Sequence, residues 1–194
     1  MSVPLSLGFT FPYSENQIDI LAYLAFINGE VYYWKSCEKI KSSGIGGLRY
    51  DEIYSKDVDL WIHSATKVAN VEFFSLSLNT ASQQNYKFPQ FGYQNSSLKQ
   101  LILNHCQLNP CASVNWSSLA FLSIGFMELI DSAMEKILFD FPNLERLELK
   151  KAWGMQRLES RFVKMTVLTI KEYYDKNHDI WLEIIAPHVE HLEI

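Results

Sequence analysis

The chain has 194 residues, of which 48% are hydrophobic and 20% charged, so it can build a hydrophobic core and is not expected to be disordered. Its 17 basic and 22 acidic residues give a formal net charge of −5, and the basic residues are scattered, which argues against a nucleic-acid surface. The sequence has no uninterrupted run of about 18 apolar residues, so we expect no membrane-spanning helix and no membrane partner.

The N-terminus and the cysteines indicate an intracellular setting. Residues 1–14 lack the basic n-region and the small-residue cleavage site of a signal peptide. Cys37, Cys106 and Cys111 cannot all pair within one chain, and we interpret them as reduced thiols. We therefore expect the protein in the cytoplasm, the nucleus or both.

The first 67 residues are predicted to form an N-terminal capping and linker region. Residues 15–27 are apolar on most sides and predict a helix that packs on the end of the following domain. The glycine-rich stretch Gly44-Ile45-Gly46-Gly47 indicates a flexible loop. A second helix, with Ser55 as its candidate N-cap, is predicted because apolar residues then recur at helical spacing. These are Val58, Trp61, Ile62, Ala65 and Val68.

From residue 71 onward one apolar pattern recurs, in which a second apolar residue follows the first by three positions and a third follows by two more. The six matches are Val71-x-x-Phe74-x-Leu76, Leu98-x-x-Leu101-x-Leu103, Leu119-x-x-Leu122-x-Ile124, Leu144-x-x-Leu147-x-Leu149, Met165-x-x-Leu168-x-Ile170 and Val189-x-x-Leu192-x-Ile194. Their starts lie 27, 21, 25, 21 and 24 residues apart, and a period in the twenties is the signature of leucine-rich repeats (LRRs).

The spacing also predicts the geometry of each coil. Apolar residues two apart point to the same side of a short strand, and the one three positions earlier lies on the turn leading in. Each coil buries apolar groups that only neighbouring coils can cover. Residues 68–194 are therefore predicted to form an α/β LRR solenoid of about six repeats, right-handed, with a parallel concave sheet, an irregular or helical convex side and the helical N-terminal cap.

Two features of the connecting segments are predicted from single residues. Cys106 follows a repeat strand and is interpreted as a structural thiol inside the bend, because burial in apolar surroundings makes a thiol inert. Ser132 and Glu135 have the spacing of a capping box and predict a helix that ends before Phe141. The apolar residues of that helix are Ile130, Ala133, Met134, Ile137 and Leu138.

No pattern in the sequence predicts catalysis, a cofactor or a metal. His188 and His191 have no third ligand at a characteristic spacing, and Cys106 with Cys111 lacks a partner pair. The stretch Gly44-Ile45-Gly46-Gly47 lacks the third glycine of a dinucleotide-binding loop. We therefore predict no catalytic, cofactor-binding or metal-binding residues, and no enzyme.

The outward residues of the repeat strands form the candidate binding surface. They alternate with the buried pair and face the concave side, neutral with two aromatics in the early repeats and charged in the fourth and fifth. Such a mixed surface is typical of protein-binding sites, although any single residue could merely solvate the sheet. The predicted protein-binding residues are Phe73, Gln100, Ile102, Asn104, Phe121, Arg146, Glu148, Lys150, Thr169 and Lys171.

Several sequence stretches occur in the same order as in a known protein family. A Trp-containing helix precedes VEFFSL; SLKQLILNHC leads to WSSLAFLSI; EKILFDFPNLERLEL and IIAPHVEHLEI follow. In these stretches, over roughly residues 37–194, the chain resembles plant F-box/LRR proteins of the F-box/FBD/LRR type.

The resemblance implies the substrate-recognition region of a Skp–cullin–F-box ubiquitin ligase, with a protein ligand on the concave face. Residues 1–30 do not carry the family's F-box pattern, and no FBD segment follows the repeats. We therefore expect a recognition region without the ligase-docking module, with a Skp-type adaptor as partner only if an F-box lies upstream. The alternative is a truncated or decoy LRR scaffold with no role in ubiquitination.

Overall fold

The structure is a computed structural model that describes residues 5–10, 16–34, 40–80, 85–139, 141–173 and 182–194; Cys37 lies outside these ranges. The strands are β1 (Leu5–Thr10), β2 (Ile40–Tyr50), β3 (Phe73–Thr80), β4 (Tyr86–Lys87), β5 (Gln100–Asn104), β6 (Cys106–Gln107), β7 (Phe121–Gly125), β8 (Arg146–Lys150), β9 (Arg157–Glu159), β10 (Val167–Lys171), β11 (Glu183–Ile185) and β12 (His191–Glu193). The α-helices are α1 (Gln17–Tyr33), α2 (Ser55–His63) and α3 (Asp131–Phe139). In the part of the chain described, no helix is both long enough and apolar enough to cross a membrane.

Eight strands form one sheet in the order β1-β2-β3-β5-β7-β8-β10-β12, and every neighbouring pair is parallel. The six predicted repeat patterns supply β3, β5, β7, β8, β10 and β12. Their register keeps equivalent leucines side by side: Leu101 pairs with Leu122, which pairs with Leu147. The predicted side-by-side stacking of coils in one direction is confirmed.

The sheet begins earlier than the sequence indicates. The stretch Gly44-Ile45-Gly46 was expected to be a flexible loop, and this is wrong, because it lies inside β2. Ser43 occupies the buried position that Phe74 holds in β3, so the apolar pattern is broken in this coil. The parallel sheet thus runs through the predicted 1–67 region, and the domain boundary at residues 67 and 68 stays a prediction.

Both predicted N-terminal helices are present, and they connect successive parallel strands. Helix α1 links β1 to β2, begins after Asn16, whose side chain accepts a hydrogen bond from the Ile18 N–H at 3.0 Å, and buries one stripe against the sheet. That stripe is Ile20, Leu24, Ile27 and Val31. Asn28 joins the two helices, since its oxygen accepts from Trp61 Nε1 at 2.7 Å and its nitrogen donates to Asp57 at 2.6 Å.

Two predicted helix starts are wrong in detail. Ser55 is the first residue of α2, which has no side-chain cap; Asp51 instead caps the short 3₁₀ turn before it, by accepting from the Ile53 N–H at 3.1 Å. Ser132 lies inside α3, which begins at Asp131. The Asp131 carboxylate accepts from the Gln156 N–H at 2.8 Å and so joins α3 to the next coil. The Asp51 cap is a local contact, whereas the contact of Asp131 reaches a distant residue that local spacing does not reveal.

The core runs the length of the sheet. The predicted interior residues are buried in the coils of β3 to β10, whereas Leu192 is 53% exposed and Ile194 83% exposed in the last coil. Cys106 is buried at the start of β6, and its Sγ lies 3.4 Å from the Asn104 carbonyl oxygen. The predicted buried position inside the bend is confirmed, and burial raises the pKa of this thiol.

Candidate protein-binding face

The predicted binding residues all lie on one face of the large sheet, which we call the open face. The register arranges this face in three rows across the strands. From β1 to β12, the first row is Ser6, Ser42, Phe73, Gln100, Phe121, Arg146, Val167 and His191; the second is Gly8, Gly44, Ser75, Ile102, Ser123, Glu148, Thr169 and Glu193; the third is Thr10, Gly46, Ser77, Asn104, Gly125, Lys150 and Lys171.

The members of the open face differ in accessibility. Gln100, Arg146 and Lys171 are exposed. Thr169 is only 8% exposed and therefore offers little surface to a ligand. The other predicted residues are half-buried: Phe73, Ile102, Asn104, Phe121, Glu148 and Lys150.

The apolar part of the open face lies near its centre, where Phe73, Ile102 and Phe121 come from three neighbouring strands. Arg146 lies over the Phe121 ring, with its guanidinium carbon 5.9 Å from the ring centroid. Among the described residues no ion pair is found for Arg146. This arginine is therefore available to a carboxylate of a ligand, with an apolar surface beside it.

The charged part of the open face is largely paired internally. Glu148 Oε2 accepts from Ser123 Oγ at 3.0 Å and lies 3.0 Å from Lys150 Nζ. Lys171 Nζ lies 3.3 Å from a Glu193 oxygen. Because these pairs are partly or fully exposed, each contributes little to stability and can exchange for a ligand's charge.

A hydrogen-bonded group occupies the third row. Asn104 donates from Nδ2 to Ser77 Oγ at 2.8 Å, and its Oδ1 is buried without a partner among the described residues. A Cβ at Gly125 would collide with that same oxygen, so glycine is needed there for Asn104 to lie across the strand. The Asn104 side chain is thus held in place by both neighbouring coils.

The N-terminal part of the open face is formed by small residues, which the sequence analysis did not identify. Gly8, Gly44 and Gly46 alternate with serines and threonine in β1 to β3. A Cβ at Gly8 would meet no atom within 4 Å, and one at Gly44 would meet only the Ser75 Cβ at 3.8 Å. Packing does not demand glycine at either position, and the result is a low, neutral surface beside Phe73.

A set of left-handed residues, which the sequence patterns did not predict, borders the third row. The residue directly after β5, β7, β8 and β10 adopts a left-handed backbone in each coil, and none of the four is glycine: His105, Phe126, Lys151 and Glu172. The His105 and Phe126 rings stack at 4.8 Å, and Lys151 Nζ lies 5.5 Å from the Phe126 centroid. Burial lowers the pKa of His105. We call these four residues the rim. The position directly after each predicted repeat strand is the sequence signal that could have identified them.

The described residues also form a cleft between β2, α2 and β4, lined partly by Tyr50, Glu52, Asp59 and Tyr86. Tyr86 donates its hydroxyl proton to Asp59, and burial together with that carboxylate raises the pKa of Tyr86. The hydrogen bond therefore joins α2 to the neighbouring coil, and the raised pKa keeps the Tyr86 hydroxyl protonated near neutral pH. Within the described part of the chain, no cluster of His, Cys, Asp and Glu side chains could hold a metal ion.

The parallel sheet, the repeat period and the uncovered face define a leucine-rich-repeat module that interacts with proteins. Residues 37–194 match the family model described as At1g61320/AtMIF1, LRR domain. The chain therefore belongs to this plant LRR family.

Curated relatives from Arabidopsis thaliana carry F-box names. F-box/LRR-repeat protein 25 is 34% identical over 138 residues, which is 69% of this chain and 53% of that protein. F-box protein At5g03100 is 34% identical over 166 residues, 82% of this chain and 49% of that protein. F-box/LRR-repeat protein At3g03360 is 34% identical over 145 residues, 71% of this chain and 29% of that protein. The chain thus spans about half or less of these relatives, and no solved structure matches it significantly.

Proposed function

We propose that this chain is the partner-recognition region of an F-box-type protein and binds a protein ligand on the open face. The observation that carries the proposal is the exposed Arg146 beside an apolar patch on an uncovered parallel sheet. Arginine and aromatic residues dominate the energy of many protein interfaces, because arginine presents several hydrogen-bond donors in a rigid fork and a large ring gains much contact area. The F-box names of the relatives support the same assignment.

A charge reversal on the open face tests partner recognition. The double variant Arg146→Glu with Lys150→Glu replaces two cations by anions on β8, and we expect it to lower the capture of protein partners from plant extract at least about tenfold. The measurement is quantitative mass spectrometry of proteins retained by the immobilised chain.

The matched control carries the same charge change elsewhere. Arg161 and Lys164 are exposed and lie outside the open face, so Arg161→Glu with Lys164→Glu should retain the partners. Circular dichroism verifies that both variants fold. Equal capture by the wild type and both variants would show that the open face is not the binding surface.

Participation in ubiquitin transfer is the finer part of the proposal. As the substrate-recognition region of a Skp–cullin–F-box ligase, the chain would act with a Skp-type adaptor, provided that an F-box is present in the same protein. Adaptor binding is tested by co-precipitation, once with this chain and once with the protein encoded by the longest transcript of the gene. If neither binds the adaptor while the open face still binds its partner, the alternative of a decoy or scaffold without a role in ubiquitination is correct.

We further infer that the chain is not an enzyme and that it acts inside the cell, in cytoplasm or nucleus. Cys111 is exposed and unpaired in the structure, as suits a reducing compartment. A fluorescent fusion imaged in plant cells tests the location, and accumulation in the secretory pathway would contradict it.

A further inference from the structure

Helix α1 is apolar on both sides, yet only one side is covered. Its buried stripe packs on the sheet, and Tyr23 donates its hydroxyl proton toward the carbonyl oxygens of Phe9 and Gly46 at 3.3 Å. Five large apolar residues outside this stripe are 53% to 74% exposed: Ile18, Leu21, Phe26, Tyr32 and Tyr33. Phe26 also contacts the edge of Phe9 in β1, and Tyr32 contacts Tyr33. A helix that is apolar all round normally has its whole surface buried, so this side points to a missing partner.

Small residues alternate with large ones on the exposed side of α1, and we call this side the trough. Ala22, Ala25 and Gly29 are exposed along its middle, between the larger residues. Glycine destabilises the interior of a helix, and a Cβ at Gly29 would meet no atom within 4 Å. The monomer therefore does not require glycine at this position. A second helix that approaches closely would require it, because a larger side chain would keep the two backbones apart.

The charges on this side decide between classes of partner. Among the described residues of α1, Asp19 is the one charged residue that is exposed, Glu30 is half-buried, and the last turn has no basic residue. Helices that lie on membrane surfaces need lysine or arginine beside the apolar stripe, so a lipid surface does not fit. A strongly charged protein partner would find no complementary charge either.

A second copy of the same helix fits the trough when the two run antiparallel about Ala25. Positions equally far from residue 25 then face each other, so Leu21 of one copy lies over Gly29 of the other, and Ile18 lies against Tyr32. Large side chains thus meet small ones at the middle, and apolar ends meet apolar ends. The two Asp19 carboxylates lie at opposite ends of a helix roughly 25 Å long and do not repel each other.

The area is sufficient for a specific contact. The five exposed side chains contribute on the order of 100 Å² or more each, so together they offer roughly 500 Å² or more per copy, at the lower end of specific interfaces. The apolar character resembles that of homodimer interfaces.

We propose that two copies of this chain associate through the exposed side of α1, in an antiparallel pair centred on Ala25. The pairing surface lies on the side of the sheet opposite the open face, so a dimer presents two free open faces.

Charge substitution at the centre of the pair tests the proposal. In the antiparallel pair Ala25 faces Ala25, so Ala25→Glu alone and Ala25→Lys alone place like charges together and should raise the dimer dissociation constant about 100-fold or more. An equal mixture of the two variants should restore the dimer. Analytical ultracentrifugation of the full chain up to about 100 μM provides the measurement.

Ile18 supplies the control for direction. In the antiparallel pair the two copies of residue 18 are far apart, so a mixture of Ile18→Glu and Ile18→Lys should not restore association, whereas a parallel pair would be restored. Gly29→Leu separates pairing from folding, because it should raise the melting temperature of the helix-containing monomer while it blocks Leu21 of the second copy. A monomeric wild type at about 100 μM, or association that none of these substitutions changes, would overturn the proposal.

Discussion

Single positions in this fold meet demands that come from the backbone of the repeat. Lys151 follows β8 with a φ of 46°, a left-handed conformation that costs a residue with a Cβ about 1 kcal/mol relative to glycine. His105, Phe126 and Glu172 hold the same conformation in neighbouring coils. Glycine would adopt this conformation at lower cost at all four positions. The contacts of the His105 ring and of Lys151 with the Phe126 ring, and the ion pair between Lys151 and Glu172, offset part of that cost.

A pair of substitutions at Lys151 isolates the backbone effect. Lys151→Gly and Lys151→Ala both remove the ion pair with Glu172, which is 3.3 Å in length, but only glycine accepts the left-handed conformation freely. We expect the glycine variant to be more stable than the alanine variant by about 1 kcal/mol in urea unfolding. Equal stabilities would mean that this φ is not maintained in solution.

Protonation of the single residue His105 makes the free energy of unfolding depend on pH. Burial lowers its pKa below the ordinary value, and its ring stacks on Phe126, whose other face is near Lys151. Above about pH 6.5 the histidine is neutral in both states; as the pH falls below that, the unfolded chain takes up the proton first and the free energy of unfolding decreases.

The test compares wild type with His105→Gln at about pH 8 and about pH 6. We expect the wild type to lose more stability over this interval than the variant, since glutamine cannot take up the proton. Parallel losses in the two proteins would show that the His105 pKa is not depressed by the fold.

At the scale of elements, a stack of aromatic rings holds the coils together on the side opposite the open face. Trp116 lies between Tyr93, at 5.5 Å between ring centroids, and Phe141, at 5.6 Å, and Phe162 continues the stack at 6.5 Å from Phe141. Trp116 is fully buried and donates from Nε1 to the Gly92 carbonyl oxygen at 2.9 Å. Each ring comes from a different coil, three to five residues before the next repeat pattern.

Substitution of Trp116 tests the contribution of this stack. We expect Trp116→Ala to lower the free energy of unfolding by about 3–5 kcal/mol, because it removes a buried ring from between two others. Trp116→Phe keeps a ring in the stack and should cost clearly less. Chemical denaturation measures both, and an alanine variant no less stable than the phenylalanine variant would contradict the role of the stack.

For the whole molecule, the two edges of the sheet differ. At the β1 edge, Phe9 packs against Phe26 at 5.8 Å and Trp34 at 6.3 Å, so α1 covers the apolar side chains. At the β12 edge, Leu192 and Ile194 are largely exposed. Because each coil is stabilised by its neighbours alone, stability should decline toward β12.

Matched leucine substitutions measure this gradient. Leu147 in β8 is fully buried and Leu192 occupies the equivalent position two strands away. We expect Leu147→Ala to cost about 2–5 kcal/mol and Leu192→Ala less than about 1 kcal/mol in urea unfolding. Comparable losses would mean that Leu192 is covered in solution, and hydrogen exchange of the β12 amides would then be slow instead of fast.

The spacing of the apolar residues is enough to predict the repeating sheet. Leu101, Leu122 and Leu147 lie side by side as their spacing predicts, because residues two apart on a strand must share a face, and a period in the twenties brings equivalent strands together. The membership of the open face follows from the same alternation, which is why its predicted residues share one surface. Whether they bind a protein stays a prediction.

The remaining features depend on contacts between different coils, which a local pattern in the sequence does not reveal. Ser43 is buried in β2 through the register with β3, although its polarity hides the strand from any apolar pattern. Glu148 accepts a hydrogen bond from Ser123 of the neighbouring strand β7 and pairs with Lys150 of its own strand. Arg146 instead lies over the Phe121 ring of β7. Helix α1 is apolar on most sides in the sequence, and only its docking on the sheet shows which side stays exposed. Local spacing fixes which face a residue points to, whereas contacts between distant segments fix what that residue meets there.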